Sequence, residues 1–189
     1  MVNVISVANQ KGGVGKTTTT INLAASIADR GYRVLIVDID PQGNATSGLG
    51  IEKSEIDQDI YNVLIDEVPI QDTIHHTSTP KLDMVPATIN LSGAETELIS
   101  MMARETRLKS ALDAVSDKYD FVFIDCPPSL GQLSINAFTA SDSILIPVQS
   151  EYYAMEGLSQ LLNTIRLVQK HFNKDLGVEG VLLTMLDAR

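Results

Sequence analysis

An apolar segment, VNVISVA (residues 2–8), leads almost at once into the octapeptide KGGVGKTT (residues 11–18), and that octapeptide opens a stretch with helical apolar spacing. Strand, glycine-rich loop and helix in that order leave few folds open. The glycines let the backbone turn tightly and aim its N–H groups inward, where phosphate oxygens can accept from them. The start of the helix adds donors with no intrahelical partner and the positive end of a dipole. Lys16 supplies a point charge suited to the β- and γ-phosphates of a nucleotide, and the Thr17 hydroxyl is placed to ligate Mg²⁺. The candidate nucleotide-binding set is therefore Lys11, Gly12, Gly13, Val14, Gly15, Lys16, Thr17 and Thr18. The competing reading, a glycine-rich turn with an incidental lysine pair, leaves the strand–loop–helix context unexplained.

The rest of the chain repeats the alternation. Residues 17–30 predict a helix, with Ile21, Ala24, Ala25 and Ala28 at i, i+3, i+4 and i+7, and Gly31 follows as a C′ residue. Strands are expected at 33–38, 82–85, 121–125, 143–148 and 178–183, and residues 43–50 read as a loop. Residues 51–80 give no clear pattern. Helices are expected around Leu108–Val115 spacing and again over 158–165. Continuous apolar strands between helices predict an α/β fold: a mainly parallel twisted sheet with helices on both faces. Residues 1–189 read as one domain. Because residues 178–183 read as a buried strand with no helix after it, the chain reads as C-terminally truncated.

Acidic residues end two of these strands. Asp38 and Asp40 stand in VDIDPQGN, and Asp125 ends FVFID. The carboxyl ends of parallel strands are where open α/β sheets bind ligands. A carboxylate there can orient a water or hold Mg²⁺ through water, which makes Thr17, Asp40 and Asp125 the candidate metal set. The alternative for Asp125 is a helix cap for the segment that begins at Pro127.

Composition narrows the setting. Cys126 is the single cysteine, so an intrachain disulfide is excluded and a cytoplasmic setting is expected. No apolar run is long enough to span a bilayer, and the first residues lack the basic region of a signal peptide. The net charge of −10 argues against nucleic-acid binding by the chain as a whole.

The motif departs from G-x-x-x-x-G-K-[ST] at its first glycine, where Gln10 stands, and it carries a second lysine, Lys11. That pair resembles the deviant Walker A motif of the superfamily that holds ParA/Soj, MinD, the nitrogenase iron protein and the Mrp-type scaffold ATPases. DPQGNATSGLG (40–50), PVQSEYYAMEGLSQL (147–161) and VLLTMLDAR (181–189) resemble the ParA/Soj partitioning branch in particular. The resemblance implies an ATPase that uses ATP and Mg²⁺. It gives Lys11 a reach across an ATP-sandwiched homodimer to the partner's nucleotide, and places Asp40 beside the attacking water, with Asp38 supporting the loop. It makes Lys11, Lys16 and Asp40 the catalytic set and reads CPPS (126–129) as a switch-II-like turn. Tyr152 and Tyr153 read as packing residues.

It also implies non-specific DNA binding by the ATP dimer, with Arg189 as one contact, and reset by hydrolysis stimulated by a ParB-like centromere-binding protein. The expected location is cytoplasmic and nucleoid-associated, without membrane. One alternative is a MinD-like ATPase that positions another cell structure. Another is a nucleotide-dependent binding module with negligible turnover, against which Asp40 and Asp125 speak. A metal-cluster carrier is disfavoured by the single cysteine.

Overall fold

The computed structural model describes residues 2–150 and 154–186. Its framework is a seven-stranded sheet: β1 (Asn3–Val7), β2 (Val34–Asp38), β3 (His75–His76), β4 (Leu82–Val85), β5 (Phe121–Asp125), β6 (Ser143–Gln149) and β7 (Gly177–Thr184). The spatial order is β3-β4-β2-β5-β1-β6-β7. Every pairing is parallel except that of β3 with β4.

Parallel strands need crossovers, and helices supply them. They are α1 (Lys16–Asp29), α2 (Asn44–Gly48), α3 (Ile60–Leu64), α4 (Leu91–Glu97), α5 (Arg107–Asp113), α6 (Gln132–Ala140) and α7 (Ala154–His171). Side chains alternate across the sheet. On β2, Val34 and Ile36 pack with Ala24 and Ala28 of α1, whereas Leu35 and Val37 belong to the opposite layer with Leu112, Phe138 and Ile165. Both faces are thus covered, which is why the central strands read as unbroken apolar runs. Burial of a side chain such as Phe123, with no exposed surface, contributes about 2–3 kcal/mol.

The helix ends follow local chemistry. Gly31 takes φ +100° just beyond α1 and its N–H bonds the Ala28 carbonyl at 2.8 Å, as its C′ reading required. The capping box that starts α3, with Asp59 accepting from Tyr61 N and Asn62 accepting from Asp59 N, lies inside the stretch that gave no pattern.

Two expectations are corrected. Residues 43–50 are not wholly loop. Thr46 bonds Asp38 through both its N–H and its hydroxyl, and these bonds wind 44–48 into α2 despite weak propensity. Residues 178–183 do form a strand, but not a buried one. Among the described residues β7 pairs with β6 alone, and Val181 and Leu183 keep about half of their surface exposed (53% and 54%).

Candidate functional site

Three strand ends meet at one level. Val7 is the register partner of Asp125, and Asp125 is the register partner of Asp38. The loop after β1 leaves from that level into α1. Because β5 sits between β2 and β1 while β6 flanks β1 on its other side, the chain's connections diverge here, where open α/β sheets bind ligands.

The glycine loop is held open by its backbone. Gly13 (φ +73°) and Gly15 (φ +87°) occupy the left-handed region, which a residue with a Cβ enters only at a cost. Gly15 is also the N-cap of the 14-residue α1. It brings no capping side chain, and no acid stands in the first turn. The positive end of α1 is therefore left for an external anion. Lys16 is buried, and its Nζ donates to the Lys11 carbonyl at 3.3 Å. Burial lowers its pKa, while Asp125, Cys126 and Asp40 act to raise it. Lys11 N in turn donates to Asn9 Oδ1 at 3.0 Å, which shapes the entry to the loop.

Asp125 is fully buried and accepts from Thr17 Oγ1 at 2.7 Å and Thr20 Oγ1 at 3.0 Å. Burial pushes its pKa up to about 6, against the two threonine hydrogen bonds and the Lys16 charge. Asp38, also fully buried, accepts from Asp40 N at 3.1 Å and from Thr46 N and Thr46 Oγ1 at 2.9 Å each. Burial, and then the Asp125 charge, push it to about 7. Asp40 opens the next turn: its Oδ1 accepts from Gln42 N at 2.9 Å and its carbonyl from Gly43 N at 2.8 Å. No group of three or more His, Cys, Asp or Glu side chains among the described residues is arranged to hold a metal by itself. A hydroxyl that gives its proton to Asp125, as Thr17 does, keeps its lone pairs free for a hard cation. The residues present therefore fit Mg²⁺ held jointly with phosphate oxygens and water.

The family model described as AAA domain matches residues 2–178. Sporulation initiation inhibitor protein Soj of Bacillus subtilis (strain 168) is 65% identical over 189 residues, 100% of this chain and 75% of that protein. The chain belongs to the ParA/Soj family of P-loop ATPases. Chromosome partitioning protein ParA of Myxococcus xanthus (strain DK1622) is 56% identical over 186 residues, 98% of this chain and 66% of that one. A crystal structure of cobyrinic acid a,c-diamide synthase from Mycobacterium smegmatis with bound ADP and magnesium matches with a TM-score of 0.96 at 42% identity, over 100% of this chain and 77% of that one.

Within this ParA/Soj chain, most residues singled out from sequence lie around one loop: Lys11 to Thr17, Asp40 and Asp125, with Asp38 behind Asp40. Thr18 is exposed and lines a groove together with Leu145 of β6 and Leu182 of β7. Arg189, Tyr152 and Tyr153 lie outside the described residues.

Sequence reasoning missed three partners. Thr20 shares Asp125 with Thr17, and its position one turn further along α1 was the available signal. Thr184 Oγ1 donates to the Val14 carbonyl at 2.8 Å, tying the end of β7 to the loop. Gln10, in place of the usual glycine, donates through Nε2 to Gln160 Oε1 of α7 at 2.6 Å.

Proposed function

We propose that this chain is a single-domain ATPase switch, residues 1–189, which binds Mg·ATP at the glycine loop, dimerises, binds DNA without sequence preference and resets by hydrolysis. One observation carries the reading: an uncapped helix N-terminus and a buried ammonium, Lys16, face a buried carboxylate, Asp125, already bonded to two threonines of the same helix. The uncapped helix end and the ammonium suit a polyphosphate, and the carboxylate beside them suits the divalent cation that accompanies one.

The roles follow from position. The loop amides of residues 12–17 cradle the phosphates, and Lys16 neutralises the β- and γ-oxygens. Thr17 and Asp125 would hold Mg²⁺, Asp125 through water, with Asp40 facing the same shell. Mg²⁺ bound there would supply Lewis-acid stabilisation of phosphate charge. Asp40, its Oδ1 fixed by Gln42 N, orients the attacking water with its second oxygen. Asp38 serves the turn that carries Asp40. Lys11 sits at the outer edge of the loop and reaches the nucleotide of a second copy.

The relatives named Soj and ParA support a place in chromosome or plasmid partitioning, with a ParB-like partner and a cytoplasmic, nucleoid-associated location. No helix among the described residues is long and apolar enough to cross a membrane.

The test is calorimetry with ATP and Mg²⁺ together with steady-state phosphate release, for the wild type and Lys16→Ala. We expect turnover by the wild type, and in the variant a loss of ATP affinity of roughly 10- to 100-fold, the worth of a charge-assisted hydrogen bond to phosphate. Equal affinity in the two proteins sinks the site assignment. Binding without turnover leaves a nucleotide-dependent binding module instead.

A further inference from the structure

The loop that hangs from Asp125 is held from an unexpected direction. Residues 126–131 run from the end of β5 to the start of α6, and two of them, Pro127 and Pro128, have no N–H with which to anchor themselves. The near end is tied by Cys126 N to the Val7 carbonyl at 3.2 Å. The far end is tied to α4: the Glu95 carboxylate accepts from Gln132 N at 2.7 Å, on the first residue of α6. Gly131, the N-cap of α6, brings no side chain that could do this itself.

Gly131 gives a second, independent sign of the same contact. Its φ of −86° and ψ of −158° are open to any residue, so its backbone does not require glycine. What a side chain there would meet is Glu95, since a Cβ would lie 2.7 Å from Glu95 Oε1. The missing Cβ makes room for that carboxylate.

The element that carries Glu95 is itself anchored to the site. Thr46 Oγ1, which donates to Asp38, accepts from Ala87 N at 3.0 Å, just before α4. Both carboxylate-bearing strand ends are thus connected through α4, Asp38 by way of Thr46 and Ala87, Asp125 by way of Glu95 and the 126–131 loop.

We propose that Glu95 is a positioning residue for hydrolysis, pinning the start of α6 so that the 126–131 loop keeps Asp125 and its surroundings in working geometry. The inference rests on the ATPase reading above. Glu95 bonds the start of α6 and lies outside the nucleotide and metal sets, so its loss acts on the chemical step more than on binding.

The experiment is steady-state ATP hydrolysis with the 189-residue chain, its Glu95→Ala, Glu95→Gln and Gly131→Ala variants, and the double variant. Glu95→Ala is expected to lower kcat roughly tenfold with KM for ATP within about twofold. Glu95→Gln keeps an acceptor oxygen for Gln132 N and recovers most of the rate. Gly131→Ala displaces the carboxylate and matches Glu95→Ala, and in the Glu95→Ala background it costs nothing more. A kcat within twofold of wild type in Glu95→Ala overturns the proposal, as does additivity in the double variant. If Glu95→Ala fails to fold by circular dichroism, the Glu95→Gln and Gly131→Ala rates decide. If the wild type shows no turnover, the ATPase reading fails on its own. Amide exchange at Gln132 then decides about Glu95: slow in wild type and fast without the carboxylate sustains the contact, and equal rates overturn it.

Discussion

Asp38 and Asp125 are register partners on neighbouring parallel strands, so two fully buried carboxyls stand side by side at the C-terminal edge of the sheet. Lys16 is the cation at hand for Asp125, while Asp38 relies on hydrogen bonds from Thr46 and Asp40. A site of this kind accumulates negative charge that Mg²⁺ can offset.

The pairing makes the nucleotide-free protein sensitive to pH. Asp38 titrates at about 7 and Asp125 at about 6, both above the ordinary carboxyl value of 3.8, chiefly through burial. Between those values the folded state holds more protons than the unfolded one. Stability from these groups is then fully present below about pH 4 and is lost as pH rises to about 7. Melting of the apo protein should show this loss between pH 5 and pH 7. Asp38→Asn removes one of the two groups and should make the slope shallower, whatever it does to the baseline. An unchanged slope in that variant would show that Asp38 ionises at an ordinary pH.

Asp38 and Asp40 should separate under mutation. Asp38→Ala leaves the buried amides of Thr46 and Asp40 without an acceptor and should cost about 3 kcal/mol of stability. Asp40→Ala loses one turn contact and, in the proposed mechanism, the oxygen that orients the water. It should melt close to wild type, bind ATP within a few-fold, and turn over roughly 100-fold more slowly. Chemical denaturation and phosphate release on both variants check this. Normal turnover in Asp40→Ala would transfer the catalytic role to another carboxylate.

These residues show what is legible in sequence. The glycine loop and the aspartate ending FVFID are local signals: spacing and apolar runs carry them, and the strands that deliver them are buried on both faces. Thr20 depends on α1 lying beside β5, and Glu95 on α4 lying beside α6. The i, i+3 spacing puts Thr17 and Thr20 on one face of α1 without saying which strand lies beside it, and the Glu95 relation leaves no trace in spacing. The apolar run 178–183 reads as buried from composition, while among the described residues only β6 pairs with it and its side chains are largely exposed. α2 was hidden because Gly, Ser, Thr and Asn read as a loop until Asp38 offers Thr46 an acceptor.

Gly12 and Gly13 are adjacent but should fail differently. A Cβ at either would meet no atom within 4 Å, yet Gly13 sits at φ +73°. Gly13→Val should therefore cost about 1–2 kcal/mol in the monomer. Gly12→Val should change monomer stability by less than about 0.5 kcal/mol. Its effect should appear only when a second copy approaches the exposed loop, as loss of the ATP-dependent dimer. Thermal melting and gel filtration with ATP separate the two. A Gly12→Val protein that dimerises like wild type counts against a partner facing this loop.

DNA binding is the strictest test of the switch, because the chain as a whole repels DNA. With a net charge of −10, attraction must come from a local cluster of cations, and Arg189 alone makes a small one. In the proposed switch, dimerisation would place two such clusters on one duplex and raise their effective concentration without any new contact. Binding should therefore require ATP, ignore base sequence, and weaken steeply with salt as counterions are released and recaptured. Arg189→Ala should weaken binding to all sequences alike and flatten the salt slope, while phosphate release in the absence of DNA stays at the wild-type rate. A titration of DNA affinity against salt, run once with ATP and once with ADP, reads all of this. Equal affinity in the two nucleotide states would cut the link from hydrolysis to DNA release, since a ligand that binds both states equally shifts neither.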